Sequence, residues 1–265
     1  MSKQELHIIK IGGNVIDNSE SLYHFLKDFT ALDGYKILVH GGGKVATQLS
    51  ETLGIELKLV DGRRITDIET LRVVTMVYGG LINKNIVAQL QRFGTNAIGL
   101  TGADGNFIRT QKRPVKTIDY GFVGDMDEKS VDSESISKLL DAGFTPVFCA
   151  ITHDGEGQLL NTNADTIASA LAVALSELYE TTLIYCFEKK GVLRDINDEE
   201  SVIRDIDPGR YDELKKQQII HSGMLPKLDN AFTAINCGVK AVIIGHSDDL
   251  GQLEHKKPFG TRLSK

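Results

Sequence analysis

The stretch Lys36-Ile37-Leu38-Val39-His40-Gly41-Gly42-Gly43-Lys44-Val45-Ala46 decides the fold class. A short aliphatic run stops at three glycines and gives way at once to helical spacing, the strand, turn and helix of an α/β sheet. Upstream, Leu6-His7-Ile8-Ile9-Lys10-Ile11 ends in the same manner at Gly12-Gly13-Asn14. Downstream, Ala97-Ile98-Gly99-Leu100, Pro146-Val147-Phe148, Thr182-Leu183-Ile184-Tyr185-Cys186-Phe187 and Val239-Lys240-Ala241-Val242-Ile243-Ile244 read as further strands. The segments between them are of helix length. This alternation predicts an α/β fold, a three-layer αβα sandwich on a mostly parallel central sheet, with ligands at the carboxyl ends of the strands.

Helical spacing is carried by Ile136, Leu139 and Leu140 up to Gly143, by Ile167, Leu171, Leu175 and Leu178, and by Met224, Leu228, Ala231 and Ile235 up to Gly238. From Gly102 to Gly124 the rhythm breaks into short segments punctuated by glycine and proline, which predicts hairpins over one end of the sheet, placed as a lid. A second α/β stretch starts near Thr181, so two lobes are expected, 1–180 and 181–265.

A chain of 265 residues with 41% hydrophobic content can bury a sizeable core. Its net charge of -6 argues against a general nucleic-acid binder. Cys149, Cys186 and Cys237 sit in apolar surroundings without CxxC pairing, which predicts buried thiols in a reducing compartment. No apolar run is long enough for a signal peptide or membrane span, and a cytoplasmic location is expected.

The two glycine turns expose backbone N–H groups beside a helix start, an arrangement suited to phosphate or carboxylate. Gly12, Gly13 and Gly41 are the candidate phosphate contacts. Gly41-Gly42-Gly43-Lys44-Val45-Ala46 also fits the G-x-G-x-x-A dinucleotide fingerprint, with Asp61 near the acidic position, so a nicotinamide-dependent dehydrogenase stays open at this point. A Walker A loop is absent from the sequence.

Several charges stand where structure alone would not put them. Lys10 occupies the carboxyl end of an apolar strand, where its stem can pack while its amine reaches water or an anion. Lys227 follows Pro226 in the first turn of a helix, against the macrodipole unless an anion binds there. Asp165, in Asn161-Thr162-Asn163-Ala164-Asp165, reads either as a cap with Thr162 or as a site carboxylate. Arg64 and the Thr66 hydroxyl, in Gly62-Arg63-Arg64-Ile65-Thr66, are placed to bind a substrate carboxylate, or as solvated loop groups.

Lys10-Ile11-Gly12-Gly13-Asn14, His40-Gly41-Gly42-Gly43, Gly62-Arg63-Arg64-Ile65-Thr66, Asn161-Thr162-Asn163-Ala164-Asp165 and Gly223-Met224-Leu225-Pro226-Lys227 come in one order over nearly the whole chain. In that order and approximate spacing they resemble the amino acid kinase family. The resemblance implies an amino acid kinase-like fold whose N-terminal lobe takes an acylated amino acid and whose C-terminal lobe takes ATP. It implies transfer of the γ-phosphoryl group to the side-chain carboxylate of N-acetylglutamate, or of another N-acylglutamate such as N-succinylglutamate, in arginine biosynthesis. Lys10 and Lys227 would contact the transferred group and Asp165 would organise them; Gly42, Gly43, Arg64 and Asn161 would hold the acyl amino acid. Mg2+ would accompany ATP, held mainly by phosphate oxygens and water. Carbamate kinase, in the same family, is the nearest chemical alternative.

One stretch departs from the family. Relatives carry a Thr-Asp-Val-x-Gly-Val-like turn after the first strand of the nucleotide lobe, where this chain has Phe187-Glu188-Lys189-Lys190-Gly191-Val192-Leu193. Glu188, Gly191 and Leu193 are the expected nucleotide contacts, Glu188 standing for the usual aspartate, with Lys189 and Lys190 near phosphate or in water. A homodimer is expected, with Leu71, Val74, Tyr78 and Ile82 of the helical region from Asp67 to Phe93 either forming a two-fold interface or covering the sheet. Only Met1 to Glu5 precede the first strand, too few for the N-terminal arm of arginine-inhibited relatives, so insensitivity to arginine is expected.

Overall fold

The computed structural model describes residues 3–60, 63–220, 224–255 and 257–265. Asp61, Gly62 and Gly223, which belong to the patterns above, lie outside the described residues. The fold is α/β, built on a central sheet of eight strands: β1 (Glu5–Ile11), β2 (Tyr35–His40), β3 (Ala97–Leu100), β4 (Thr145–Cys149), β5 (Glu180–Phe187), β6 (Asp205–Ile206), β7 (Ala241–His246) and β8 (Thr261–Leu263). Their order is β6-β8-β7-β5-β1-β2-β4-β3. β1 with β5, β5 with β7, β6 with β8, β2 with β4 and β3 with β4 pair parallel, and β7 with β8 antiparallel. Parallel strands are covered on both faces, which is why the aliphatic residues of β1 do not keep to alternate positions: Leu6, Ile8, Ile9 and Ile11 are all fully buried.

Contacts divide the chain into two units, Met1–Ile37 with Leu171–Lys265, and Leu38–Ala170. The lobes read from the sequence differ from these units in where residues 1–37 and 171–180 fall. In the first unit the register from Glu5↔Glu180 to Ile11↔Cys186 ties the start of the chain to its C-terminal part. The Ser19–Ala31 helix buries Leu22, Phe25, Leu26 and Phe29, and opens where the Asn18 side chain accepts from the N–H groups of Glu20 and Ser21. The Leu225–Asn236 helix buries Leu228, Ala231, Ala234 and Ile235.

In the second unit the helical region from Asp67 to Phe93 is α-helical over Ile68–Thr75, π-helical over Met76–Ile82 and α-helical again over Asn83–Arg92. Leu71, Val74, Tyr78 and Ile82 are buried, so the strongest apolar stripe is core and not a free interface face. Such a stripe marks the face that leaves water first, which is the one packed within the chain. The Gly102–Gly124 insert has the expected hairpin character, Gln111–Lys112 pairing antiparallel with Gly124–Asp125.

Two further readings are corrected. Cys237 is exposed, while Cys149 and Cys186 are buried free thiols; Cys237 is the C-cap of the Leu225–Asn236 helix, just past its buried Ala234 and Ile235. Leu178 lies beyond the Ala164–Leu175 helix and is largely exposed, because the helix ends a turn earlier than the apolar spacing. No described helix is long and apolar enough to cross a membrane.

Candidate active site

In the first unit the strand end of β1 places Lys10 beside the Gly12 turn. Lys10 is only 8% exposed, and a Cβ on Gly12 would lie 3.8 Å from its Nζ. Gly12 caps the short Gly13–Asp17 helix with ordinary extended dihedrals (φ -92°, ψ 177°), so glycine there supplies an open approach and not a left-handed turn. Lys227 lies in the first turn of the Leu225–Asn236 helix, as expected. Its Nζ stands 3.7 Å from the centre of the Phe187 ring, and Lys10 Nζ stands 5.4 Å from the same centre. Phe187 in turn stacks on Tyr185 at 5.9 Å. The two lysines that the sequence singled out therefore meet at one aromatic ring.

The residues that follow Phe187 have these surroundings. Lys189 pairs with Glu199 at 2.9 Å and Lys190 pairs with Glu200, so neither lysine is simply in water. Glu188 is exposed, and Leu193 bridges to Val202. Gly191 sits at φ 157°, and a Cβ there would fall 2.6 Å from Thr261 Oγ1, the atom that accepts from the Val192 N–H at 2.8 Å.

In the second unit the three glycines after β2 differ from one another. Gly42 caps the Gly43–Thr52 helix at φ 152°, and a Cβ on it would fall 2.2 Å from Ile82 Cδ1 and 3.1 Å from Tyr78 Cδ1. A Cβ on Gly41 would make only ordinary contact at 3.9 Å, and Gly43 faces open space. Arg64 is half-buried and held, its Nη2 donating to the Gly43 carbonyl at 3.0 Å and to Thr47 Oγ1 at 2.9 Å. Its Nη1 is buried and makes no hydrogen bond among the described residues. Neighbouring Arg63 is exposed. Adjacent arginines that look alike in sequence thus have different work.

The Thr66 hydroxyl is not open to a ligand. It is fully buried, donates to the Arg64 carbonyl at 3.3 Å and accepts from Asn161 Nδ2 at 3.1 Å. Backbone bonds from Thr66 N to the Tyr120 carbonyl, from Phe122 N to the Thr66 carbonyl and from Asn161 N to the Phe122 carbonyl place the insert between these two residues. Asn163, rather than Thr162 or Asp165, caps the helix that follows, accepting from Thr166 N at 3.0 Å. Thr162 instead joins a buried row of hydroxyls with Thr152 and Thr110, each step 2.7 Å. Asp165 lies half-buried in the first turn of that helix.

Phe187 and the buried His40 are the residues that sequence reasoning passed over. An aromatic residue closing an otherwise aliphatic strand, directly before Glu188-Lys189-Lys190, was the available signal for the first. A histidine closing an otherwise aliphatic strand was the signal for the second.

The model of the amino acid kinase family matches residues 5–246. The chain belongs to that family. It is 60% identical over 262 residues, covering 98% of both chains, to a Cytophaga hutchinsonii protein named acetylglutamate kinase. A Phocaeicola vulgatus protein of the same name is 58% identical over 242 residues, covering 91% of this chain and 93% of that one. Among solved structures, smu.665 from Streptococcus mutans superposes with a TM-score of 0.75 at 26% identity over 98% of each chain. The family match spans both glycine turns and these relatives are named kinases, so the dehydrogenase reading falls.

Proposed function

We propose that the protein transfers the γ-phosphoryl group of ATP to the side-chain carboxylate of N-acetylglutamate, a step of arginine biosynthesis. The observation that carries this reading is the identity of 58–60%, over nearly the whole chain, to proteins named acetylglutamate kinase. That identity also disfavours carbamate kinase. A glutamate side chain, with an ordinary pKa near ~4.3, is already a nucleophile at neutral pH and needs no general base. One carboxylate oxygen attacks the γ-phosphorus, the bond to the bridging oxygen breaks, and ADP leaves with its electron pair.

The obstacle is charge. A carboxylate must approach a triphosphate, so alignment and fixed positive potential should dominate catalysis. Lys10 and Lys227 are assigned to the transferring group, Asp165 to orienting them, and the N–H groups of Gly12, Gly13 and Gly41 to phosphate oxygens. Gly42, Gly43, Arg64 and Asn161 are assigned to the acyl amino acid, and Glu188, Gly191 and Leu193 to the nucleotide. ATP enters as its Mg2+ complex, the ion carried on phosphate oxygens and water and belonging to the substrate.

The unsatisfied Arg64 Nη1 supports the acceptor assignment, since a buried guanidinium donor matches a carboxylate. Arg64→Ala should raise the Michaelis constant for the acceptor roughly 10- to 100-fold, with that for ATP nearly unchanged. Steady-state kinetics in both substrates checks this; an effect confined to ATP would move Arg64 to the other ligand. ADP release with N-acetylglutamate, N-succinylglutamate, glutamate, aspartate and carbamate tests the whole reading. Turnover fastest with carbamate would sink it.

The same reading gives a cytoplasmic homodimer, supported by buried free thiols and by an apolar surface. Ile68, Met76 and Leu81 are 44%, 54% and 53% exposed, and Met76 lines a groove of about 480 Å³ together with Leu71, Arg72, Thr75 and Leu159. Light scattering should return twice the 29.1 kDa of one chain, and Met76→Glu should return one. A monomeric parent protein would end the dimer assignment.

A further inference from the structure

His40 is a fully buried titratable group that the proposed chemistry leaves unused. Its proton can be placed because every atom around it faces a partner with a single role. The Gly41 carbonyl only accepts, so His40 Nδ1, 2.8 Å away, carries the hydrogen. Asn83 Nδ2 donates to the Val147 carbonyl at 2.9 Å, and Asn83 Oδ1 accepts from the Lys84 ammonium at 3.0 Å, which fixes the orientation of that amide. His40 Nε2, 3.1 Å from Asn83 Nδ2, is therefore the unprotonated acceptor. The ring is neutral and in the Nδ1–H tautomer. Burial, with Lys84 nearby, pushes its pKa down to about 4, against the raising effect of the Gly41 carbonyl.

The surroundings are built for this network. A Cβ on Gly99 would fall 1.9 Å from Asn83 Oδ1 and 2.8 Å from Lys84 Nζ, so the strand opposite leaves room for the network at that one position. Asn83 directly follows the π-helical turn whose Tyr78 and Ile82 press on Gly42. Turns of this kind recur at functional sites.

The Gly41 carbonyl and the Gly42 N–H are two ends of one planar trans peptide and point in opposite directions. Holding the carbonyl toward the ring aims the N–H away from it, at the head of the Gly43–Thr52 helix. We propose that His40 is a positioning residue: its Nδ1–H fixes the Gly41–Gly42 peptide so that the Gly42 N–H is aimed at the carboxylate-bearing acceptor before that substrate arrives. This rests on the reading that the turn holds the acyl amino acid.

Two measurements on the full-length enzyme test it. Two-bond 1H–15N correlation of histidine-labelled protein should show one neutral Nδ1–H ring, unchanged between about pH 5 and 8, whose signals vanish in His40→Asn. An asparagine amide nitrogen falls near the Nδ1 position and a glutamine amide near Nε2, so His40→Asn keeps a donor for the Gly41 carbonyl and His40→Gln does not. His40→Gln should raise the acceptor Michaelis constant about tenfold, the equivalent of one misplaced hydrogen bond, with little change for ATP, and His40→Asn should recover most of the loss. An Nε2–H ring, a ring titrating at its ordinary value, or equal acceptor constants in the two variants would overturn the proposal. The spectrum of the parent protein decides the tautomer even where a variant fails to fold. Failure of the acceptor reading itself would show separately, as an Arg64→Ala enzyme with an unchanged acceptor constant and an unchanged histidine spectrum.

Discussion

Replacing Lys227 or Lys10 by alanine is expected to lower kcat by roughly 10²–10³-fold, with Michaelis constants moving far less. Both amines lie close to the Phe187 ring, 3.7 and 5.4 Å from its centre. An aromatic face attracts a cation through its quadrupole without cancelling the charge. The lysines can thus be steered before phosphate binds while keeping their positive potential for the transition state. Lys10 is also buried, where a fixed charge acts through less water than at the surface. Arginine should not rescue either position, because its wide planar fork does not replace a compact ammonium. Asp165→Asn should slow turnover with an unchanged melting temperature, because Asn163 already caps the helix. Steady-state kinetics with circular dichroism melts checks all of these. Normal turnover at saturating substrates in a lysine variant would remove that lysine from the reaction.

What the sequence made legible is what short-range chemistry controls. Strands β1 to β5 and β7 were visible because parallel strands buried on both faces are rich in consecutive apolar residues, and the helix closed by Gly143 because that residue takes φ 80°. Charges in apolar company, Lys10 above all, pointed at the site for the same reason. The remainder depends on distant partners. Nothing local distinguishes Arg63 from Arg64, whose difference is the Gly43 carbonyl and Thr47 hydroxyl on another element. The stripe of Leu71, Val74, Tyr78 and Ile82 is periodic whether it faces a sheet or a second subunit, and burial alone separates the two. Lys189 and Lys190 were ambiguous because their partners, Glu199 and Glu200, come ten residues later on a loop. The π-helical turn of Met76–Ile82 has no composition of its own beyond Gly79 and Gly80.

A stability that falls between pH 6.5 and about 4 is expected from His40. Its folded-state pKa lies at about 4, below the ordinary 6.5, because burial disfavours the charged ring. The unfolded chain therefore takes up a proton that the native chain refuses. The contribution is complete above pH 6.5, declines by one proton's worth per pH unit below it, and is gone once the pH passes below about 4, in total roughly 3 kcal/mol. His7, also pushed down by burial, adds in the same sense. Asp28, whose carboxyl burial pushes up, works in the opposite one. The capping carboxylates Asp67 and Asp132 are held down chiefly by backbone N–H donors from Thr70 and Ser135, so their share is lost only below about pH 4. The window of the two histidines is thereby separated from that of Asp67 and Asp132. Melting temperatures of the parent protein should drop by several degrees, on the order of 5 °C, between pH 6.5 and 5. His40→Asn deletes the titrating ring, and although it lowers stability at every pH by emptying part of the core, it should flatten the slope in that window. Parallel slopes in the two proteins would mean that His40 is not the group the native state keeps neutral.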